Sequence, residues 1–180
     1  MASMLNDKVN LSGLRVLIAE DDVLAALDVA ESMEAFGGEV LGPVAGAAEG
    51  IELLRRIRPH MALLDVQLRD GFVTPLATAL EQLEVPYALV SGYRGEELEK
   101  LALRRAPQLT KPYSRSDLAR MAALLYKEVV RRRAYAIWER EGRPEGEADQ
   151  HWSMAKRELL ASPNARPAGS PNPYRHDARF

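Results

Sequence analysis

The chain contains no cysteine and only three histidines, His60, His151 and His176, far apart from one another. Disulfides, thiol redox chemistry and cysteine-rich zinc sites are therefore excluded, and a transition-metal site has no cluster to build on. His151, beside Trp152, reads as a capping or packing residue that lacks metal-binding partners. Charge of one sign is also missing. A formal net charge of -2 gives no general attraction to nucleic acid or to an anionic membrane, so no DNA or membrane partner is expected. No apolar run is long enough to span a bilayer, and the opening Met-Ala-Ser-Met-Leu-Asn-Asp-Lys has no cationic stretch followed by an apolar one. A cytoplasmic protein is the expectation.

What is present is ordinary globular material, 47% hydrophobic over 180 residues, enough for one domain and a small appendage. Residues 1–12 are polar and aperiodic and read as a flexible leader. From Leu14 short apolar runs alternate with longer segments of helical period, the pattern of a parallel sheet with crossover helices. The strand candidates are Arg15–Ala19, Glu39–Val44, Met61–Leu64, Tyr87–Val90 and Gln108–Thr110, which make a five-stranded, doubly wound α/β layer. Helices are expected from Asp22 to the Gly37-Gly38 pair and over Ala47–Ile57, with further ones after Gly71 and Gly95. Ser114 or Ser116 is placed to cap the last of them.

Beyond Tyr126 the chain becomes highly charged and helical, and it can continue the preceding helix without a linker. After Gly142-Arg143-Pro144-Glu145-Gly146 a second helix sets Trp152, Ala155 and Leu159 on one stripe, facing Ala134, Ile137 and Trp138. The expected organisation is a domain over 13–126, a helical hairpin closed by two tryptophans over 127–162, and a proline-rich, disordered tail over 163–180. Arg131-Arg132-Arg133 reads as a solvated helix face, since Glu128, Glu139 and Glu141 lie nearby.

Three chemistry-bearing segments each follow a candidate strand: Glu20-Asp21-Asp22, Val90-Ser91-Gly92 and Thr110-Lys111-Pro112. A fourth strand candidate, Met-Ala-Leu-Leu, leads into Asp65. In an open parallel sheet the C-terminal strand ends share one edge, so these groups converge there. The set suits capture of a phosphoryl group by an aspartate. Such a carboxylate needs no general base, but it needs cations in place to offset the phosphoryl charge. Glu20, Asp21 and Asp65 form a carboxylate cluster that suits a hard divalent cation such as Mg²⁺, and Lys111 supplies a second positive charge. Ser91 can donate a hydrogen bond to the product, and Asp22 is placed as a helix cap. Hydrolysis of small phosphates is disfavoured, because the position two residues after Asp65 is Gln67 rather than an acid.

Val-Leu-Ile-Ala-Glu-Asp-Asp, Ala-Leu-Leu-Asp-Val, Leu-Val-Ser-Gly-Tyr and Thr-Lys-Pro-Tyr, in that order and spacing, resemble the receiver domain of bacterial two-component response regulators, the CheY-like superfamily, over Leu14 to Leu125. The resemblance implies Asp65 as phosphoacceptor, Glu20 and Asp21 as the acidic pair for Mg²⁺, and Gln67 as a metal ligand through its backbone carbonyl. It also implies Ser91 as the hydroxyl that moves toward the phosphoryl group, Lys111 as its counter-charge, and a cis Lys111-Pro112 bond. Two departures stand out. The loop Asp-Val-Gln-Leu-Arg-Asp-Gly lacks the usual Met-Pro pair and is shorter, and the aromatic switch position three before the lysine is Gln108. With Ser-Gly-Tyr, these departures look like a subgroup carrying a Phe-Ala-Thr-Gly-Tyr type motif, associated with histidine kinases of the HWE class. They make Tyr93 the expected reporter of phosphorylation. Arg69, in the shortened loop, reads as a solvated side chain. The stretch from Arg131 to Leu160 resembles a short bacterial domain of unknown function.

The expected function is that of a response regulator, not an enzyme, phosphorylated by a histidine kinase or a phosphotransfer protein, with output through an unknown downstream protein or a homodimer. A phosphate sink draining a shared kinase and a constitutive, unphosphorylated scaffold are the alternatives.

Overall fold

The computed structural model describes residues 9–92, 103 and 105–161. Its main sheet contains β1 (Arg15–Ala19), β2 (Glu39–Val44), β3 (Met61–Leu64), β6 (Tyr87–Ser91) and β7 (Gln108–Thr110). They are all parallel, in the order β2-β1-β3-β6-β7. This is the doubly wound, flavodoxin-like arrangement, whose strand order reverses between β1 and β3. The helices are α1 (Val23–Ala35), α2 (Ala47–Arg56), α3 (Thr74–Gln82), α4 (Arg115–Arg140) and α5 (Ala148–Ala161). The strands match the expected runs, with β6 carried one residue further to Ser91. The helix expected after Gly95 lies outside the described residues, as do Tyr93 and the tail from residue 162.

The alternation of side chains along each strand sorts the apolar residues into two cores. Leu17, Ala19, Ala62, Leu64 and Leu89 face α2 and α3, where they meet Leu54, Leu76, Ala77 and Leu80. Val16, Ile18, Met61, Leu63, Ala88 and Val90 face α1 and α4, where they meet Val29, Met33, Leu118, Ala122 and Leu125. Both faces are covered, which is why these strands read as continuous apolar runs.

Local signals set the helix ends. Asp22 accepts from the Ala25 N–H at 2.8 Å and caps α1. Of the two candidate caps for α4, Ser114 is the one used, in a reciprocal pair with Asp117. The loop after Asp65 departs from the expectation of a plain loop. It folds into a two-stranded antiparallel ribbon of β4 (Gln67–Leu68) and β5 (Gly71–Phe72), and α3 starts only at Thr74.

α4 runs without a break past Tyr126. Leu118, Ala122, Leu125 and Val129 pack on the sheet, whereas Val130, Ala134 and Ile137 pack on Ala155 and Trp152 of α5. The second stripe is offset by one residue, a turn of about 100° around the helix. Tyr126 touches both groups. The hairpin thus packs back on the domain. Leu159 joins the core under α1 and α4, and a Cβ at Gly13 would meet the Leu159 carbonyl at 2.9 Å. Arg132 also donates to the Glu84 carbonyl at 2.6 Å.

The two tryptophans do not share one role. Trp152 packs in the hairpin core, while Trp138 closes the turn, its indole N–H donating to the Pro144 carbonyl at 3.0 Å with Arg143 over the ring. His151 is buried, as expected, but it does not lack partners. Glu141 lies 2.9 Å from its Nε2 and Glu147 lies 4.0 Å away. The turn of the hairpin brings these three together, which their spacing along the chain conceals.

Candidate functional site

Each acid at the site is delivered by a strand that ends at the same edge. The Glu20 N–H donates to the Val44 carbonyl at 3.0 Å, and the Asp65 N–H donates to the Ala19 carbonyl at 2.8 Å, so the two residues continue the ladder just past β1 and β3. Glu20 is buried, only 4% exposed. Asp65 is 13% exposed in its side chain. From the other side of β6, Lys111 reaches across and donates from Nζ to Glu20 Oε2 and to Asp65 Oδ2, each at 2.6 Å. A cis Lys111-Pro112 bond follows, as expected.

A buried anion is tolerated only with a compensating charge and hydrogen bonds. Burial pushes the Glu20 carboxyl above its ordinary range, and the Lys111 hydrogen bond opposes that push only in part. Burial pulls the Lys111 ammonium down. The hydrogen bonds to Asp65 and Glu20 more than offset it, and the Lys111 pKa ends above its usual value. The lysine is therefore charged and tethered between the two acids.

The remaining Asp65 oxygen, Oδ1, accepts from the Val66 N–H at 2.6 Å and the Gln67 N–H at 3.4 Å. The ribbon sets the direction of Gln67. The Val73 N–H donates to the Val66 carbonyl at 2.9 Å, so the neighbouring Gln67–Phe72 pair exchanges no ladder hydrogen bonds. Gln67 then turns both its N–H and its C=O away from β5, toward the side where Asp65 lies. Glu20, Asp21 and Asp65 each offer a carboxylate oxygen, and these atoms lie within 4.8 Å of one another. Three carboxylates and a peptide carbonyl on one side form an all-oxygen donor set of the kind hard divalent cations take.

Ser91 is buried at the end of β6 and pairs with Thr110, while its carbonyl accepts from the Lys111 N–H at 3.1 Å. Since Leu64 pairs with Leu89, Ser91 sits one residue beyond the level of Asp65, at the same edge. Gln108 lies at the opposite, entry end of β7 and is exposed. Arg69 is also exposed, and its N–H is bound to the Ala45 carbonyl at 3.0 Å. The structure thus brings together Glu20, Asp21, Asp65, Gln67 and Lys111.

Over 108 residues the chain is 32% identical to the transcriptional regulatory protein PdtaR of Mycobacterium tuberculosis, covering 58% of this chain and 52% of that one. In structure it is similar to the response regulator PhyR from Brucella abortus, with a TM-score of 0.59 and 26% identity over 71% of this chain and 54% of that one. It is similar as well to a CheY-like response regulator receiver protein from Methanospirillum hungatei, with a TM-score of 0.56 and 25% identity over 64% of this chain and 95% of that one. The sheet and its flanking helices have the fold of the CheY-like response-regulator receiver domains. The receiver is followed, over residues 127–161, by a match to the family described as Protein of unknown function (DUF2934). The chain spans about half the length of PdtaR.

Sequence reasoning missed Asp70 in this receiver. Its carboxylate accepts from the N–H groups of Ala47 at 2.8 Å and Ala48 at 2.9 Å, the first two residues of α2. A signal for it existed, because Gly46 stands at the cap position of α2 and has no side chain to satisfy those donors.

Proposed function

We propose that the chain is a two-component response regulator that takes a phosphoryl group on Asp65, with Mg²⁺ held by Glu20, Asp21, Asp65 and the Gln67 carbonyl. The observation that carries this reading is Lys111 Nζ at 2.6 Å from both Glu20 and Asp65, at the edge where β1, β3 and β7 end. In the transfer, an Asp65 oxygen forms a bond to phosphorus while the bond from phosphorus to the donor's imidazole nitrogen breaks, its electron pair staying on nitrogen. Bound Mg²⁺ would offset part of the charge on the phosphoryl oxygens. Lys111 keeps its positive charge throughout and exchanges its Asp65 contact for a phosphoryl oxygen. Ser91 supplies a hydroxyl at the same edge.

The donor is a phosphohistidine on a sensor kinase or a phosphotransfer protein, with the HWE class suggested by the likeness around Ser91-Gly92-Tyr93. The chain performs no turnover on a separate substrate. Phosphorylation shifts a pre-existing equilibrium of the domain and changes a contact with a downstream protein or a second copy. The reading places this chemistry in the cytoplasm, and no helix among the described residues is long and apolar enough to cross a membrane.

Incubation with a small acyl phosphate and Mg²⁺, followed by intact mass measurement, tests the proposal. Wild type is expected to gain one phosphoryl group, and Asp65→Asn none. A gain of equal size in Asp65→Asn would reject Asp65 as the acceptor.

A further inference from the structure

The ribbon that aims Gln67 at Asp65 has two pairs of residues, Gln67–Phe72 and Leu68–Gly71, and a hairpin so short is not stable by itself. Something outside must hold it. Leu68 is a plug, 1% exposed in the core beneath α2 and α3. At the tip, the Arg69 N–H is bound to the Ala45 carbonyl, and the Asp70 carboxylate bridges the Ala47 and Ala48 N–H groups. The partners of Asp70 come from a helix more than twenty residues earlier in the chain.

Gly46 makes room for this bridge. Its backbone is extended, with φ -140° and ψ 152°, a conformation open to any residue. Backbone freedom is therefore not the reason for a glycine. A Cβ at this position would come within 2.9–3.1 Å of the Asp70 carboxylate oxygens and carbon. Asp70 supplies the cap that α2 lacks, and Gly46 leaves the space for it.

We propose that Asp70 is a positioning residue for the cation site, seated on the α2 N-terminus so that the Gln67 carbonyl and Asp65 keep a common aim. It touches neither the cation nor the phosphoryl group. The proposal rests on the reading of Glu20, Asp21, Asp65 and Gln67 as the Mg²⁺ ligands. The hydrogen bonds from Ala48 and Ala47 hold the Asp70 carboxyl below its usual range, so it is an anion at neutral pH and remains the better acceptor. An ordinary helix cap would affect stability alone. A positioning residue also affects how well the ligands are presented, and loss of a group that orients a metal ligand weakens binding roughly tenfold or more.

The test uses the full chain as wild type, Asp70→Ala, Asp70→Asn and Gly46→Ala. Mg²⁺ affinity is measured by calorimetric titration without any phosphodonor, and amide exchange is followed at Gln67 and Leu68. Asp70→Ala is expected to raise the Mg²⁺ Kd roughly tenfold and to speed exchange at both amides. Asp70→Asn, which keeps one acceptor oxygen, should fall between. Gly46→Ala displaces only the end of a flexible side chain, so it retains the fold while showing the same weakening, and it carries the test if Asp70→Ala does not fold. Wild-type Mg²⁺ affinity in the folded variants would overturn the proposal, as would unchanged exchange at Gln67. A wild type that binds Mg²⁺ but takes no phosphoryl group from the acyl phosphate would reject the phosphoacceptor reading, while a weakened Kd in the variants would still support the role of Asp70.

Discussion

At the residue scale, the charged groups divide by whether their partners are acids, bases or backbone. Lys111 answers Glu20 and Asp65 at one end of the sheet. At the other end His60 is held neutral. Its Nδ1 accepts from the Arg15 N–H at 2.9 Å, and burial, with the charges of Arg15 and Arg58, lowers its pKa to about 4 from 6.5. In the unfolded chain this histidine takes a proton near pH 6.5, and in the folded chain only near pH 4. Its contribution to stability is therefore present above pH 6.5 and is lost as the pH falls from 6.5 toward 4. His60→Asn keeps an acceptor for Arg15 and has nothing to titrate. Thermal unfolding curves at a series of pH values should show a smaller drop in Tm across that window for the variant, and an identical drop would exclude His60 as the source. Asp65, Glu20 and Lys111 were legible in the sequence because each stands just after a candidate strand. Asp70 was not, since its partners are set by how a loop meets a distant helix.

At the scale of elements, α4 carries two jobs on one continuous helix. Its first half covers the sheet and its second half packs α5, with the buried stripe shifted by one residue between them. A single amphipathic face is therefore hard to see in this stretch of sequence, although both faces follow helical spacing when taken separately. Ile137 is fully buried between the two hairpin helices. Ile137→Ala removes its contacts and leaves a cavity, and a loss of roughly 2–5 kcal/mol is expected in denaturant unfolding. A loss under about 0.5 kcal/mol, the scale of a surface change, would show that this core is not closed. The ribbon β4–β5 is the opposite case. Its residues carry no strand signal of length, and it exists because Leu68 is buried and Asp70 is tied to α2.

At the scale of the whole molecule, the hairpin is part of the receiver's structure rather than a separate bead. Val129 and Leu159 both pack in the core under α1 and α4, Arg132 binds the Glu84 carbonyl, and Leu159 lies against Gly13. A chain ending at residue 126 would uncover that side of the core. It is expected to melt at a lower temperature than the full chain, which should unfold in one transition. Two separate transitions in the full chain, with the lower one absent after truncation, would show instead that receiver and hairpin fold independently.

The sequence by itself determined the five parallel strands, the acids and lysine at their ends, and the cap of α1, and it narrowed the cap of α4 to two serines. These depend on local signals: apolar runs of strand length, and a polar side chain next to the backbone it serves. Only the tertiary structure decided that Asp70 caps α2, that the Gln67 carbonyl turns toward Asp65, that Glu141 and Glu147 meet His151, and that α5 folds back onto the turn at Gly13. Each of these joins groups whose separation along the chain says nothing of their distance. The packing of buried side chains sets that distance, and it is available only once the elements are in place.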